Sequence, residues 1–177
     1  MTSLSERVKM AIRDVPDFPK EGIVFKDITS VFLDPSLSKE IGEHFIEAAR
    51  KVNPNYIAAV DSRGFLFGPI ISQALNIPLL LIRKKGKLPG PTVETSYDLE
   101  YGSASLEMHI NDIPKGSKVL IHDDLLATGG TTVAAAKLVE TCESTVVGFS
   151  FLLHLGFLDG EKKLSPITEE IFSIVKY

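Results

Sequence analysis

Hydrophobic positions along the chain change period twice, and the changes mark out its elements. Ser3-Leu4-Ser5-Glu6 has the form of a capping box, and Leu4, Val8, Ala11 and Ile12 follow at i, i+4, i+7 and i+8. A short amphipathic helix is predicted there, stopping near Pro16. Residues 17–35 combine Pro, Gly and Asp with Phe18, Ile23, Val24, Phe25, Ile28, Val31, Phe32 and Leu33. So apolar a loop must lie against something. Leu37, Ile41, Phe45, Ala48, Ala49 and Val52 return to helical spacing, predicting a second helix over 37–52 capped by Ser36 or Ser38.

After Pro54 come unbroken apolar runs: YIAAV (56–60), PLLLI (78–82), KVLIH (118–122) and TVVGFSFLL (145–153). Continuous Val, Ile and Leu without alternation is the pattern of parallel strands covered on both faces. GFLFGPIISQAL (64–75) and GGTTVAAAKLVETC (129–142) are each long enough for a crossover helix. The expected fold class is therefore α/β, a doubly wound, mostly parallel twisted sheet flanked by helices. Residues 83–103 break the rhythm with two Pro and three Gly, a length that in a compact domain is functional or mobile. Ala104, Leu106, Met108 and Ile110 then alternate with polar residues and predict an antiparallel strand.

Length and composition narrow the class. A chain of 177 residues with 44% apolar and 24% charged residues suits one domain with a real core, so 1–177 is read as a single unit. A net charge of −4 argues against general affinity for nucleic acid. The single cysteine, Cys142, is expected to be a small core residue and fits a reducing compartment. The opening MTSLSERVKMAIRDV is charged throughout, and the greasy stretch 147–158 is broken by Ser150 and His154. A cytoplasmic protein without a membrane span is expected.

The chemistry concentrates in VLIHDDLLATGGTT (119–132). An apolar strand ends in Asp123 and Asp124, and Ala127, Thr128, Gly129, Gly130 and Thr131 then open a helix. Backbone N–H groups at such a helix start form an anion site suited to a phosphate. The two acids would repel that phosphate unless they faced hydroxyls or a divalent cation, so a sugar phosphate fits best. The ordinary alternative is a surface acid pair followed by a helix cap. Neither a P-loop nor a G-x-G-x-x-G fingerprint is present. Asp61-Ser62-Arg63-Gly64 forms a second strand-to-helix turn, where Arg63 suits a diphosphate. Arg83, Lys84, Lys85 and Lys87 make a dense positive run able to neutralise a leaving group, or else a solvated face.

Strand, paired acids and ATGGT resemble the phosphoribosyl-diphosphate motif of the type I phosphoribosyltransferases. FPKEGIVFKDIT (18–29), DSRGFLFGP (61–69), RKKGKLPG (83–90) and SYDLEYG (96–102) are similar to segments of the adenine phosphoribosyltransferase family, from about residue 16 onward. The resemblance implies a type I phosphoribosyltransferase fold with an N-terminal helix and base-binding lid over about 1–35 and a flexible catalytic loop over about 83–105. It implies a purine salvage enzyme forming AMP and diphosphate from adenine and 5-phosphoribosyl 1-diphosphate, with Mg2+ bound on the diphosphate substrate.

In that picture Val24 and Lys26 read the amino edge of adenine through their backbone, and Phe25 walls the pocket. Leu155 covers the other face of the ring or is an ordinary core leucine. Arg63 holds the diphosphate, and Arg83 and Lys84 contact it, in the family in a neighbouring subunit's site, which implies a homodimer. Glu100 manages the proton at N9 from the mobile loop, and Tyr101 packs that loop. Position 26, often arginine in the family, is Lys26 here, and His122 stands where an aliphatic residue is usual. His122 is read as a core histidine, the alternative being a partly protonated group that alters magnesium affinity. His154 is assigned no role. A transferase for another base and a non-catalytic sensor of the diphosphate remain as alternative functions.

Overall fold

A computed structural model describes residues 2–98 and 103–177. Helix α1 (Leu4–Ala11) begins at the predicted capping box, with Ser3 and Glu6 bonded reciprocally. It ends at Ile12, earlier than expected, because Arg13–Pro16 (β1) leaves to pair antiparallel with Val24–Asp27 (β2). That two-stranded ribbon replaces the expected loop. A 3₁₀ turn over Ile28–Leu33 leads into α2 (Pro35–Val52). The cap of α2 is Asp34, whose carboxylate accepts from the amides of Ser36 and Leu37, and neither predicted serine serves.

The strands β3 (Tyr56–Val60), β4 (Leu79–Lys84), β7 (Lys118–Leu126), β8 (Thr145–His154) and β9 (Ile171–Lys176) are all parallel. Strands β5 (Thr92–Asp98) and β6 (Ser103–His109) form a hairpin that adds antiparallel to β4. The sheet order is β5-β6-β4-β3-β7-β8-β9. Helix α3 (Gly68–Leu75) joins β3 to β4, and α4 (Gly130–Thr141) joins β7 to β8. A short helix, α5 (Gly160–Leu164), precedes β9.

Both faces of the sheet are covered, as the unbroken apolar runs require. Ala58, Val60, Ile82, Ile121, Phe149 and Phe151 pack with Ala135, Leu138 and Val139 of α4. On the other face Ile57, Leu120, Leu152 and Val175 pack with Val8, Ile41, Phe45 and Ile71 of α1, α2 and α3. Cys142 is buried in the first of these layers, where loss of solvent raises its thiol pKa. No helix among the described residues is long and apolar enough to cross a membrane.

Candidate active site

The carboxyl ends of β3, β4 and β7 open into a cleft of about 730 Å³, which Tyr97 of β5 and Ala104 and Leu106 of β6 also line. Ligands of open α/β sheets bind at this end of the strands. Asp123, Asp124, Ala127, Thr128, Gly129, Gly130 and Thr131 line one wall, and Arg63, Arg83, Lys84 and Lys87 line the other.

The turn from β7 into α4 has a backbone form that suits an anion. Gly129 caps α4 with φ +78°, and a Cβ there would come within 3.0 Å of the Gly160 carbonyl oxygen. Only glycine meets both conditions without strain. The first amides of α4, left without intrahelical partners, therefore face the cleft at the positive end of the helix dipole.

The acids differ from the expectation in one respect. They lie within β7 and not beyond it, since β7 stays paired with β8 as far as Leu126 opposite His154. They are 9% and 7% exposed, so a surface acid pair is ruled out. Asp123 accepts from the Asp124 amide at 2.8 Å, and Asp124 Oδ2 faces Arg63 Nε at 3.1 Å without a hydrogen bond. Burial pushes the Asp123 carboxyl well above the ordinary range, and the neighbouring Asp124 charge pushes it further. Burial also raises Asp124, against the pull of Arg63. Among the described residues no group of three or more His, Cys, Asp or Glu could hold a metal ion by itself.

Arg63 is fixed from two sides, by Asp124 and by the Phe25 ring, whose centroid lies 5.0 Å from its guanidinium carbon. The turn carrying it starts at a cis Asp61–Ser62 peptide. Gly64 lets that turn lie against β7, because a Cβ there would meet the His122 carbonyl oxygen at 2.8 Å. Arg83 donates from Nε to Asp61 at 2.9 Å and from Nη1 to the Lys87 carbonyl at 3.1 Å. The basic run is split by the sheet. Lys85 turns away to pair with Glu94 at 2.7 Å, whereas Arg83, Lys84 and Lys87 line this chain's own cleft.

The segment 24–26, expected to read the base, lies beside the cleft and does not line it. Phe25 reaches the cleft through Arg63, and Val24 is half exposed. The Lys26 ammonium points elsewhere, to Asp14 at 2.6 Å and over the Tyr177 ring at 4.6 Å, so a contact at the cleft from residue 26 is left to its backbone. Leu155 does not line the cleft; its amide donates to the Leu126 carbonyl. Glu100 and Tyr101 lie outside the described residues. Lys87, of the predicted positive run, and Asp61 and Ser62, of the turn that carries Arg63, line the cleft, as does Tyr97, to which the sequence gives no role. Tyr97 Oη lies 3.4 Å from Thr131 Oγ1, joining the hairpin to the phosphate cradle.

His122 is a core residue. It has no exposed surface, stacks edge-on against Phe45 at 4.8 Å and bonds Ser150 Oγ at 2.8 Å through Nδ1. Desolvation lowers its pKa to about 3, so it is neutral near pH 7.

The parallel sheet, with a β7–α4 turn shaped to suit an anion beside two buried acids, fits a phosphoribosyl-transferring class of protein, and the sequence profile of the phosphoribosyl transferase domain matches residues 32–175. The chain belongs to that family, and within it to the adenine phosphoribosyltransferases. A protein of that name from Cytophaga hutchinsonii is 46% identical, the match covering 98% of this chain and 96% of the relative. The crystal structure of the enzyme from Thermoanaerobacter pseudethanolicus superposes with a TM-score of 0.93 at 46% identity, covering 99% of this chain and all of that one. The Saccharomyces cerevisiae enzyme, complexed with D-2,5-dideoxy-2,5-imino-altritol 1,6-bisphosphate and adenine, gives a TM-score of 0.88 at 39% identity and covers 98% and 99% of the two chains.

Proposed function

We propose that the protein makes AMP and diphosphate from adenine and 5-phosphoribosyl 1-diphosphate. One observation carries the reading: a phosphate cradle and a buried acid pair share a cleft with Arg63, Arg83, Lys84 and Lys87. The yeast relative's complex with adenine and an imino-sugar bisphosphate supports the same pair of ligands. The 5-phosphate sits on the amides and hydroxyls of residues 127–131, and Asp123 and Asp124 accept from the ribose hydroxyls. The diphosphate lies towards Arg63, Arg83 and Lys84.

As the C1–O bond lengthens, positive charge grows on the sugar and negative charge on the diphosphate. The acid pair faces the first and the cations the second, so both poles are stabilised in the transition state more than in the ground state. Adenine N9 captures C1 while Glu100, by family resemblance, manages its proton. The acid pair, with an Asp124 oxygen left without a hydrogen bond, suits a substrate that brings a divalent cation. Mg2+ bound with the diphosphate would supply further charge neutralisation of the leaving group.

The homodimer is part of the proposal. Ile70 is exposed at an apolar groove between α2 and the start of α3 that Phe32, Pro35 and Ile46 also line, a surface that a second copy would cover. The acidic chain and its single buried cysteine fit the cytoplasm. The test is formation of labelled AMP from labelled adenine, with and without magnesium, in competition with hypoxanthine, guanine and orotate. AMP is the expected product, formed only with the metal. Preferential use of another base would overturn the assignment, and diphosphate-substrate binding without turnover would favour a sensor.

A further inference from the structure

Arg83, Lys84 and Lys87 line the cleft from one short segment, and a carboxylate outside the cleft lining bonds the backbone of that segment. Glu107 lies opposite Arg83 in the β4–β6 ladder and is 3% exposed. Its Oε1 accepts from the amides of Lys87 and Leu88, each at 2.7 Å. Burial by itself would raise this carboxyl's pKa, but the amides of Leu88, Gly86 and Lys87 outweigh it and the pKa is lowered, so the group is ionised near neutral pH. The same segment turns its Lys87 carbonyl back to Arg83, whose other edge is held by Asp61. A continuous chain of hydrogen bonds thus runs from Glu107 through the 87–88 backbone and Arg83 to the turn that carries Arg63.

The charge of Glu107 works against an incoming diphosphate, since like charges repel across a poorly screened interior. Its benefit must therefore lie in geometry. We propose that Glu107 is a positioning residue for the leaving group, folding the 84–88 segment so that Lys87 faces the cleft and Arg83 is held rigid beside Asp61. This deepens the transferase reading and rests on it. Preorganised cations contribute most where negative charge develops late, so the effect belongs to the diphosphate and not to the base.

The test is steady-state kinetics of Glu107→Ala and Glu107→Asp, the latter too short to reach both amides, with titration of inorganic pyrophosphate and a thermal melt of each. Losing two hydrogen bonds to a charged acceptor should raise KM for 5-phosphoribosyl 1-diphosphate and weaken pyrophosphate about tenfold or more, with KM for adenine within about twofold of wild type. If the alanine variant does not fold, the aspartate variant gives the same reading. Unchanged KM and pyrophosphate affinity would overturn the inference. So would an equal loss for both substrates tracking a lowered Tm, since that is what a purely structural residue does. A wild-type protein that makes no AMP would sink the underlying reading instead, and is seen before any variant is made.

Discussion

In the proposed reading Asp123 and Asp124 serve the ligand and the fold in opposite directions. Burial and mutual repulsion keep a proton on the pair at pH values where an ordinary aspartate has lost it. Ribose hydroxyls bond more strongly to an ionised acceptor, so the pair must shed that proton as substrate binds. KM for 5-phosphoribosyl 1-diphosphate should therefore fall as pH rises through the raised carboxyl range. The sign for stability is reversed. Between the ordinary carboxylate pKa and the raised one the folded chain holds more protons than the unfolded chain, so stability falls as pH rises. Asp123→Asn removes that penalty. It should raise Tm near neutral pH, raise KM for the diphosphate substrate about tenfold or more and flatten its pH dependence. A variant with wild-type KM would show that the aspartate does not hold the sugar. The adjacency of the acids was visible in the sequence. Their burial was not, because it depends on β7 continuing to pair with β8 through Leu126.

At the scale of elements, legibility followed burial. Strands β3 and β8 match the apolar runs 56–60 and 145–153 to within a residue because both their faces are covered, whereas β7 runs four residues past 118–122, through the two acids to Leu126. Strand β5 escaped notice, although Val93, Thr95 and Tyr97 turn inward while Glu94 and Ser96 are exposed, a clear two-residue period. Strand β9 was not read at all. The β1–β2 ribbon was invisible because its partners sit across a segment rich in Pro and Gly, with polar residues on an exposed face. Lys26 pairs across the ribbon with Asp14 at 2.6 Å, and the same ammonium ties the ribbon to the C-terminal Tyr177 ring at 4.6 Å. Tyr177 is in turn tied to β8 through its amide bond to the His154 carbonyl and its own carbonyl's bond from Gly156. Lys26→Met keeps the backbone but frees the ribbon. It should raise KM for adenine several-fold, about 3–10-fold, while leaving KM for the diphosphate substrate unchanged. A larger effect on the diphosphate substrate would place Lys26 at the wrong end of the cleft.

Across the whole molecule the cleft draws on the parallel core at β3 and β7 and on the β5–β6 hairpin, which the sheet ties to β4, and the N-terminal ribbon approaches it through Phe25 against Arg63. In the proposed reading the walls for the sugar and the phosphates come from the core and its helix starts, already held by Asp61, Asp124 and the α4 cap. The wall proposed for the base comes from the ribbon, where Val24 is 52% exposed and Phe25 leans on Arg63. A ligand that binds only the native state stabilises it by RT ln(1 + [L]/Kd), about 2.7 kcal/mol at a hundred times Kd. For a chain of 177 residues each kcal/mol moves Tm by about 2–4 °C. The magnesium complex of 5-phosphoribosyl 1-diphosphate, meeting a rigid wall, should raise Tm by about 5–10 °C at that concentration. Adenine alone meets a half-built wall and should move Tm by no more than about 1–2 °C at the same concentration, its affinity rising once pyrophosphate or a ribose phosphate closes the other side. Differential scanning calorimetry with each ligand singly and in pairs reads this directly. An adenine shift as large as that of the diphosphate substrate would mean the base site is complete in the free protein, and the order of binding argued from the ribbon would fall with it.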